Sequence, residues 1–147
     1  MIINTDITKQ LIGSWSLVSF HQEDAEGKIT YPFGENATGI IMYTPDGYMS
    51  AQIMRGEAAP VAYHGTPGDE YLAYTGRYHI TADQHMLQHD STICNIPEWL
   101  GRQQQRPVHI EGDFLHLSSN GPTLINDHWV SLKLVWKRNP VSDPTVI

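Results

Sequence analysis

Gly39-Ile40-Ile41-Met42-Tyr43-Thr44-Pro45-Asp46-Gly47-Tyr48-Met49-Ser50 reads as two β-strands folded back on one tight turn. β-Branched and aromatic residues flank Thr44-Pro45-Asp46-Gly47. In that turn the proline ring presets one backbone angle, and glycine accepts the positive φ that the reversal needs. The same rhythm extends in both directions. Strands are expected near 14–23, 37–44, 47–54, 71–80, 85–94, 102–111, 113–118 and 128–137. Glu111-Gly112-Asp113 supplies a short hairpin connection and Asn120-Gly121-Pro122 a further turn. Eight or so short strands joined by turns point to an all-β sandwich or barrel.

The non-strand segments are few. Asp6–Ile12 suits one or two helical turns, with Thr5 or Asp6 as N-cap and Gly13 as the stop. Residues 55–70 carry Gly, Ala, Pro and His without a period and read as a long loop of the kind used as a lid or binding segment. Asn95–Gly101 reads as one helical turn or a plug. The segment Asn139–Ile147, with two prolines and no pattern, reads as a loosely held tail. One domain over 1–147 is expected, with its barrel at about 9–138.

Composition narrows the functional classes. Of the 147 residues 40% are apolar and 17% charged, the balance of a folded globule. A formal charge of −7 and the lack of a Lys/Arg cluster argue against a nucleic-acid partner. The single cysteine, Cys94, excludes an intrachain disulfide and fits a reducing compartment. The residues from Met1 to Asp6 have no basic region followed by an apolar core. No stretch approaches the roughly 18 apolar residues of a membrane span. A cytoplasmic location is therefore expected.

Side chains alternate across a strand, so each strand divides into two faces. The likelier inner sets are Met49, Ala51 and Ile53; Leu72, Tyr74, Gly76, Tyr78 and Ile80; and Leu87, His89, Ser91 and Ile93. On the later strands they are Gln104, Arg106, Val108 and Ile110, then Val130, Leu132, Leu134 and Trp136. Tyr43 joins them. Polar groups are frequent among these residues, and each needs a partner when buried. A cavity with apolar walls and a few convergent polar groups accounts for that mixture. The competing reading is a misassigned face or register, which would bring His89 or Arg106 to the surface.

Several stretches also resemble a known family. Leu11-Ile12-Gly13-Ser14-Trp15-Ser16-Leu17-Val18-Ser19-Phe20 is similar to the first strand of lipocalins, where a Gly-x-Trp signature opens the barrel. The Gly39–Ser50 hairpin, Tyr71-Leu72-Ala73-Tyr74-Thr75-Gly76-Arg77-Tyr78 and Pro97-Glu98-Trp99-Leu100-Gly101 resemble the bacterial and fungal lipocalin-like domain family, a calycin-type barrel. The resemblance spans about 9–138. It implies a single antiparallel up-and-down barrel of about eight to ten strands, with short N-terminal and capping helices. It also implies that a late arginine, here Arg138, packs across Trp15. The absent disulfide sets the chain apart from secreted lipocalins, and the fold alone does not specify what is bound.

The expected function is binding of a small hydrophobic or amphipathic metabolite in the barrel interior. Tyr43, Tyr74, His89 and Arg106 are its polar anchors, and Met49, Ile53, Tyr78, Trp99 and Trp136 are further wall residues. The alternative is an isomerase or cyclase acting on such a metabolite. There His89 would exchange a proton, Arg106 would hold a carboxylate or enolate, and Tyr74 would bond a carbonyl. A filled core without a pocket is the third reading. Trp99 and the methionines are explained equally well as plug and core packing. Eight histidines raise the question of a metal, but His85 and His89 lie four apart on a strand, about 13 Å, too far to share an ion. No metal and no cofactor is expected. Exposed aromatics such as Tyr48 offer a homodimer contact.

Overall fold

A computed structural model of the chain describes residues 6–56, 71–125 and 127–141. The expected 55–70 loop beyond Gly56 and the tail beyond Val141 lie outside them. A short helix, α1 (Ile7–Leu11), precedes ten strands. These are β1 (Gly13–Asp24), β2 (Ile29–Thr30), β3 (Thr38–Tyr43), β4 (Tyr48–Met54) and β5 (Tyr71–Ile80). They continue with β6 (Met86–Cys94), β7 (Gln103–Glu111), β8 (Phe114–Ser118), β9 (Thr123–Ile125) and β10 (His128–Arg138). A 3-10 turn, Pro97–Trp99, sits between β6 and β7.

Each strand pairs antiparallel with its neighbours in the order β2-β1-β3-β4-β5-β6-β7-β8-β10-β9, and a β1–β10 pairing closes the sheet. Eight strands thus form an up-and-down barrel. β2 and β9 extend the lines of β3 and β8 along β1 and β10 at the open end. The Thr44–Gly47 turn forms as read, Gly47 donating its amide to the Thr44 carbonyl at 3.2 Å with φ +95°. Asp6 caps α1 by accepting from the Thr8 amide at 3.0 Å.

The end at the start of β1 is sealed. Leu11 and Trp15 are fully buried there, and the Trp15 indole donates to the Leu11 carbonyl at 3.0 Å. The Arg138 guanidinium lies 4.1 Å from the Trp15 ring centre and donates to the carbonyls of Ile12 and Gln10. The closing pair expected from the resemblance is therefore present, and it also ties the helix to the last strand.

Inner faces agree with the alternation on β4, β5, β7 and β10. Two bulges break it elsewhere. On β1, Leu17 pairs with Trp136 and Ser19 with Val135, so Val18 is an extra residue turned outward. Beyond it Phe20, Gln22 and Asp24 occupy the positions opposite inward-facing Leu134, Leu132 and Val130. On β6, Ser91 pairs with Gly76 and Ile93 with Thr75, leaving Thr92 extra.

Ile93, expected inside, is consequently 69% exposed, and Cys94 packs against the core instead. Gly76 makes this bulge possible: a Cβ there would stand 1.5 Å from the Asp90 carbonyl oxygen. A second correction concerns the expected loose tail, which does not begin at Asn139. The Asn139 amide donates to the Ser14 carbonyl at 2.9 Å, and its side-chain oxygen accepts from the Ser16 hydroxyl at 2.6 Å.

Candidate functional site

Among the described residues the interior is open at one end. Where β1 and β10 run toward β2 and β9, a cavity of about 570 Å³ enters the barrel between Phe20, Phe33, Leu72, Trp99 and Leu132. The outer part of its wall is polar, with Gln22, Lys28 and His128. Phe20, Leu72, Trp99 and Leu132 also border a deeper space of about 40 Å³ and so stand as a waist between it and the mouth. Ile53, Tyr74, His89, Arg106 and Trp136 belong to the inner end, with Ile41, Ala51, Leu117 and Leu134 beside them. The cavity is therefore wide and mixed at the mouth and largely apolar inside, with Tyr74, His89 and Arg106 as polar groups at its tip.

His89 organises that tip. Strand β6 places it on the inner face, fully buried, with one tyrosine on each ring nitrogen. Its Nε2 lies 2.8 Å from the Tyr43 hydroxyl and its Nδ1 2.9 Å from the Tyr74 hydroxyl. Burial, with the nearby Arg106 charge adding to it, pushes the imidazole pKa down to about 3. Burial also raises both phenols, the repulsion between Tyr43 and Tyr74 adding to the effect at Tyr43. All three rings are therefore neutral at pH 7.

Arg106 enters from β7. Its guanidinium donates to the Gln104 side-chain oxygen at 3.0 Å and to the Gln105 carbonyl at 3.1 Å. Among the described residues no carboxylate pairs with it. Trp136 is 1% exposed, and among the described residues its indole N–H has no hydrogen-bond partner; the buried Ser91 hydroxyl also has none there. Unmet donors of this kind are uncommon in a folded interior.

Six of the nine residues expected at the site border the inner cavity: Ile53, Tyr74, His89, Trp99, Arg106 and Trp136. The other three are buried but do not form its wall. Tyr43 stands behind His89, Met49 packs in the core, and Tyr78 turns its hydroxyl to the Thr44 carbonyl at 2.7 Å. Leu72 and Leu132 were legible as inner-face residues, though not as parts of a site. Phe20 and Gln22 depend on the β1 bulge, for which the sequence carries no signal. Phe33 and Arg55, whose guanidinium lies 5.9 Å from the Phe33 ring centre, flank the mouth from outside the regular alternation. Trp99 reaches the cavity from the 3-10 turn and meets Tyr74 edge-on at 5.9 Å, so it acts as both plug and wall.

Among the described residues no group of three or more His, Cys, Asp or Glu side chains is placed to hold a metal ion, and no helix is long and apolar enough to cross a membrane. His85 is exposed at the foot of β6, whereas His89 points into the barrel.

The 4'-hydroxy-3'-methoxypropiophenone carrier protein ppsC of Aspergillus oryzae is 30% identical over 116 residues, covering 63% of this chain and 97% of that protein. The crystal structure of the wild-type fluorescent protein UnaG is similar at 11% identity and a TM-score of 0.43, over 90% of this chain and 99% of the other. The profile of the lipocalin-like domain matches residues 12–139, from just before β1 to just after β10, and the chain belongs to that family.

Proposed function

We propose that the protein is a binding module that takes a small, largely apolar or amphipathic molecule into the barrel. The observation that carries this reading is the cavity at the mouth together with the inner space at Tyr74, His89, Arg106 and Trp136, which share the wall of Phe20, Leu72, Trp99 and Leu132. Phe20, Leu72 and Leu132 would cover the ligand's apolar body, and the tip would fix its polar end. A relative named as a carrier of a hydroxylated, methoxylated propiophenone supports the same class of ligand. The environment of His89 favours binding over the isomerase or cyclase alternative. A ring with both nitrogens engaged by tyrosines and a pKa near 3 is poorly suited to exchange protons at pH 7.

Trp99 and Trp136 both line the opening, so intrinsic fluorescence reports its occupancy. Titration with 4'-hydroxy-3'-methoxypropiophenone should quench or shift the emission saturably, and the same ligand should raise the melting temperature by mass action. A Leu132→Trp variant, which fills the waist, should stay folded and lose both responses. If a panel of apolar aryl ketones leaves wild-type fluorescence and melting temperature unchanged, the binding reading fails.

A further inference from the structure

The proton arrangement at the tip has a direction. A neutral imidazole has one N–H and one bare nitrogen, so one tyrosine must accept from His89 and the other must donate to it. Tyr43 is 2% exposed, and among the described residues its hydroxyl has no partner other than His89. If Tyr43 accepted from Nε2–H, its own O–H would be stranded in the core, at the cost of an unsatisfied buried donor. The reverse polarity moves the free hydrogen from the core to the cavity wall. Tyr43 donates to Nε2, Nδ1–H donates to the Tyr74 oxygen, and the Tyr74 proton is left to point elsewhere. Tyr74 lines the cavity.

The charged group at the tip has the same sense. Arg106 can only donate, and among the described residues it has no carboxylate opposite it. Among the described residues no Asp or Glu borders the inner cavity. With His89 committed to its two tyrosines, the tip offers hydrogens and positive potential.

From this geometry we infer that the barrel selects a carbonyl compound and seats it oxygen-first, the C=O accepting from Tyr74 beside the Arg106 guanidinium. Tyr43, which does not line the cavity, is a positioning residue that sets the polarity of the relay. The inference deepens the proposed binding function and rests on it. The inner space of about 40 Å³ admits a head group of a few atoms, and the wider opening takes the body.

The test compares propiophenone with propylbenzene, which keeps the ring and chain but lacks the oxygen. Dissociation constants come from fluorescence titration, and the bound ketone is followed by the 13C shift of a labelled carbonyl. Wild type should prefer the ketone by about tenfold or more, since a buried donor left unpaired costs on the order of 1–3 kcal/mol. The carbonyl resonance should move downfield. Tyr74→Phe and Tyr43→Phe should each reduce the preference several-fold and return the resonance toward its position in water. Propylbenzene affinity should hold in Tyr43→Phe and rise in Tyr74→Phe, where no donor is left unpaired beside it, which also reports that the barrel is intact.

Equal affinity of wild type for the two probes would overturn the inference while leaving the cavity reading in place. A preference that survives Tyr43→Phe would overturn the relay. Failure of wild type to bind either probe would remove the binding function itself, and this inference with it.

Discussion

His89 makes the stability of this protein sensitive to mild acid. In the folded barrel the ring is neutral, its pKa held down to about 3 by burial and by Arg106. In the unfolded chain it returns to an ordinary value of about 6.5 and takes up a proton below that pH. Between pH 6.5 and 3 the unfolded state therefore binds more protons than the folded one, so stability falls as pH falls. The contribution is complete above pH 6.5. At pH 5.0 about 1.5 pKa units of the interval have been crossed, corresponding to a loss of about 2 kcal/mol relative to pH 7.5. A domain of this size has only about 5–15 kcal/mol in total, so the loss is readily measured.

The assay is urea unfolding at pH 7.5 and 5.0 for wild type and His89→Gln. Glutamine can still hydrogen-bond the tyrosines but does not titrate. The variant starts from a lower stability at pH 7.5 and should lose about 2 kcal/mol less than wild type on going to pH 5.0. Taking the difference cancels the other histidines and the carboxylates, which titrate in both proteins. Equal losses in the two proteins would refute the claim that His89 is buried neutral between its tyrosines.

Two further outcomes follow from packing. Arg138→Met should destabilise the barrel by roughly 1–3 kcal/mol in urea unfolding, because it removes the stack on Trp15 and two bonds to carbonyls of the α1 segment. The β6 bulge separates two apolar residues that strict alternation would place on one face. Ile93→Thr, at an exposed position, should shift stability by about 0.5 kcal/mol or less, whereas Leu87→Ala should cost about 2–5 kcal/mol. Similar losses at both positions would show that Ile93 faces the core and that the bulge is absent.

The contrast between those two positions shows where reading the chain succeeds. Met49, Ala51 and Ile53, or Leu72, Tyr74 and Tyr78, could be assigned to the inside because a strand's side-chain period is local and the partner strand need not be known. The Thr44–Gly47 turn was legible for the same reason, since Pro45 and Gly47 restrict their own backbones. Ile93, Phe20 and Gln22 were not legible. Each faces as it does because an extra residue is inserted opposite a partner strand, and nothing in the bulged segment alone marks the insertion.

The amino-acid order by itself determined an all-β chain, the place of nearly every strand and turn, most of the inner face, and the residues that mark the family. Those properties come from torsional preferences and from a two-residue period, both carried within a few neighbouring positions. Only the tertiary structure decided that β1 meets β10, that the bulges turn Phe20 inward and Ile93 outward, and that the interior is open at one end. It also decided that Tyr43, His89 and Tyr74 form one relay, with Tyr43 behind the wall and Tyr74 on it. These depend on the juxtaposition of residues as many as 123 positions apart, and a hydrogen bond acquires a direction only when all its partners are in place.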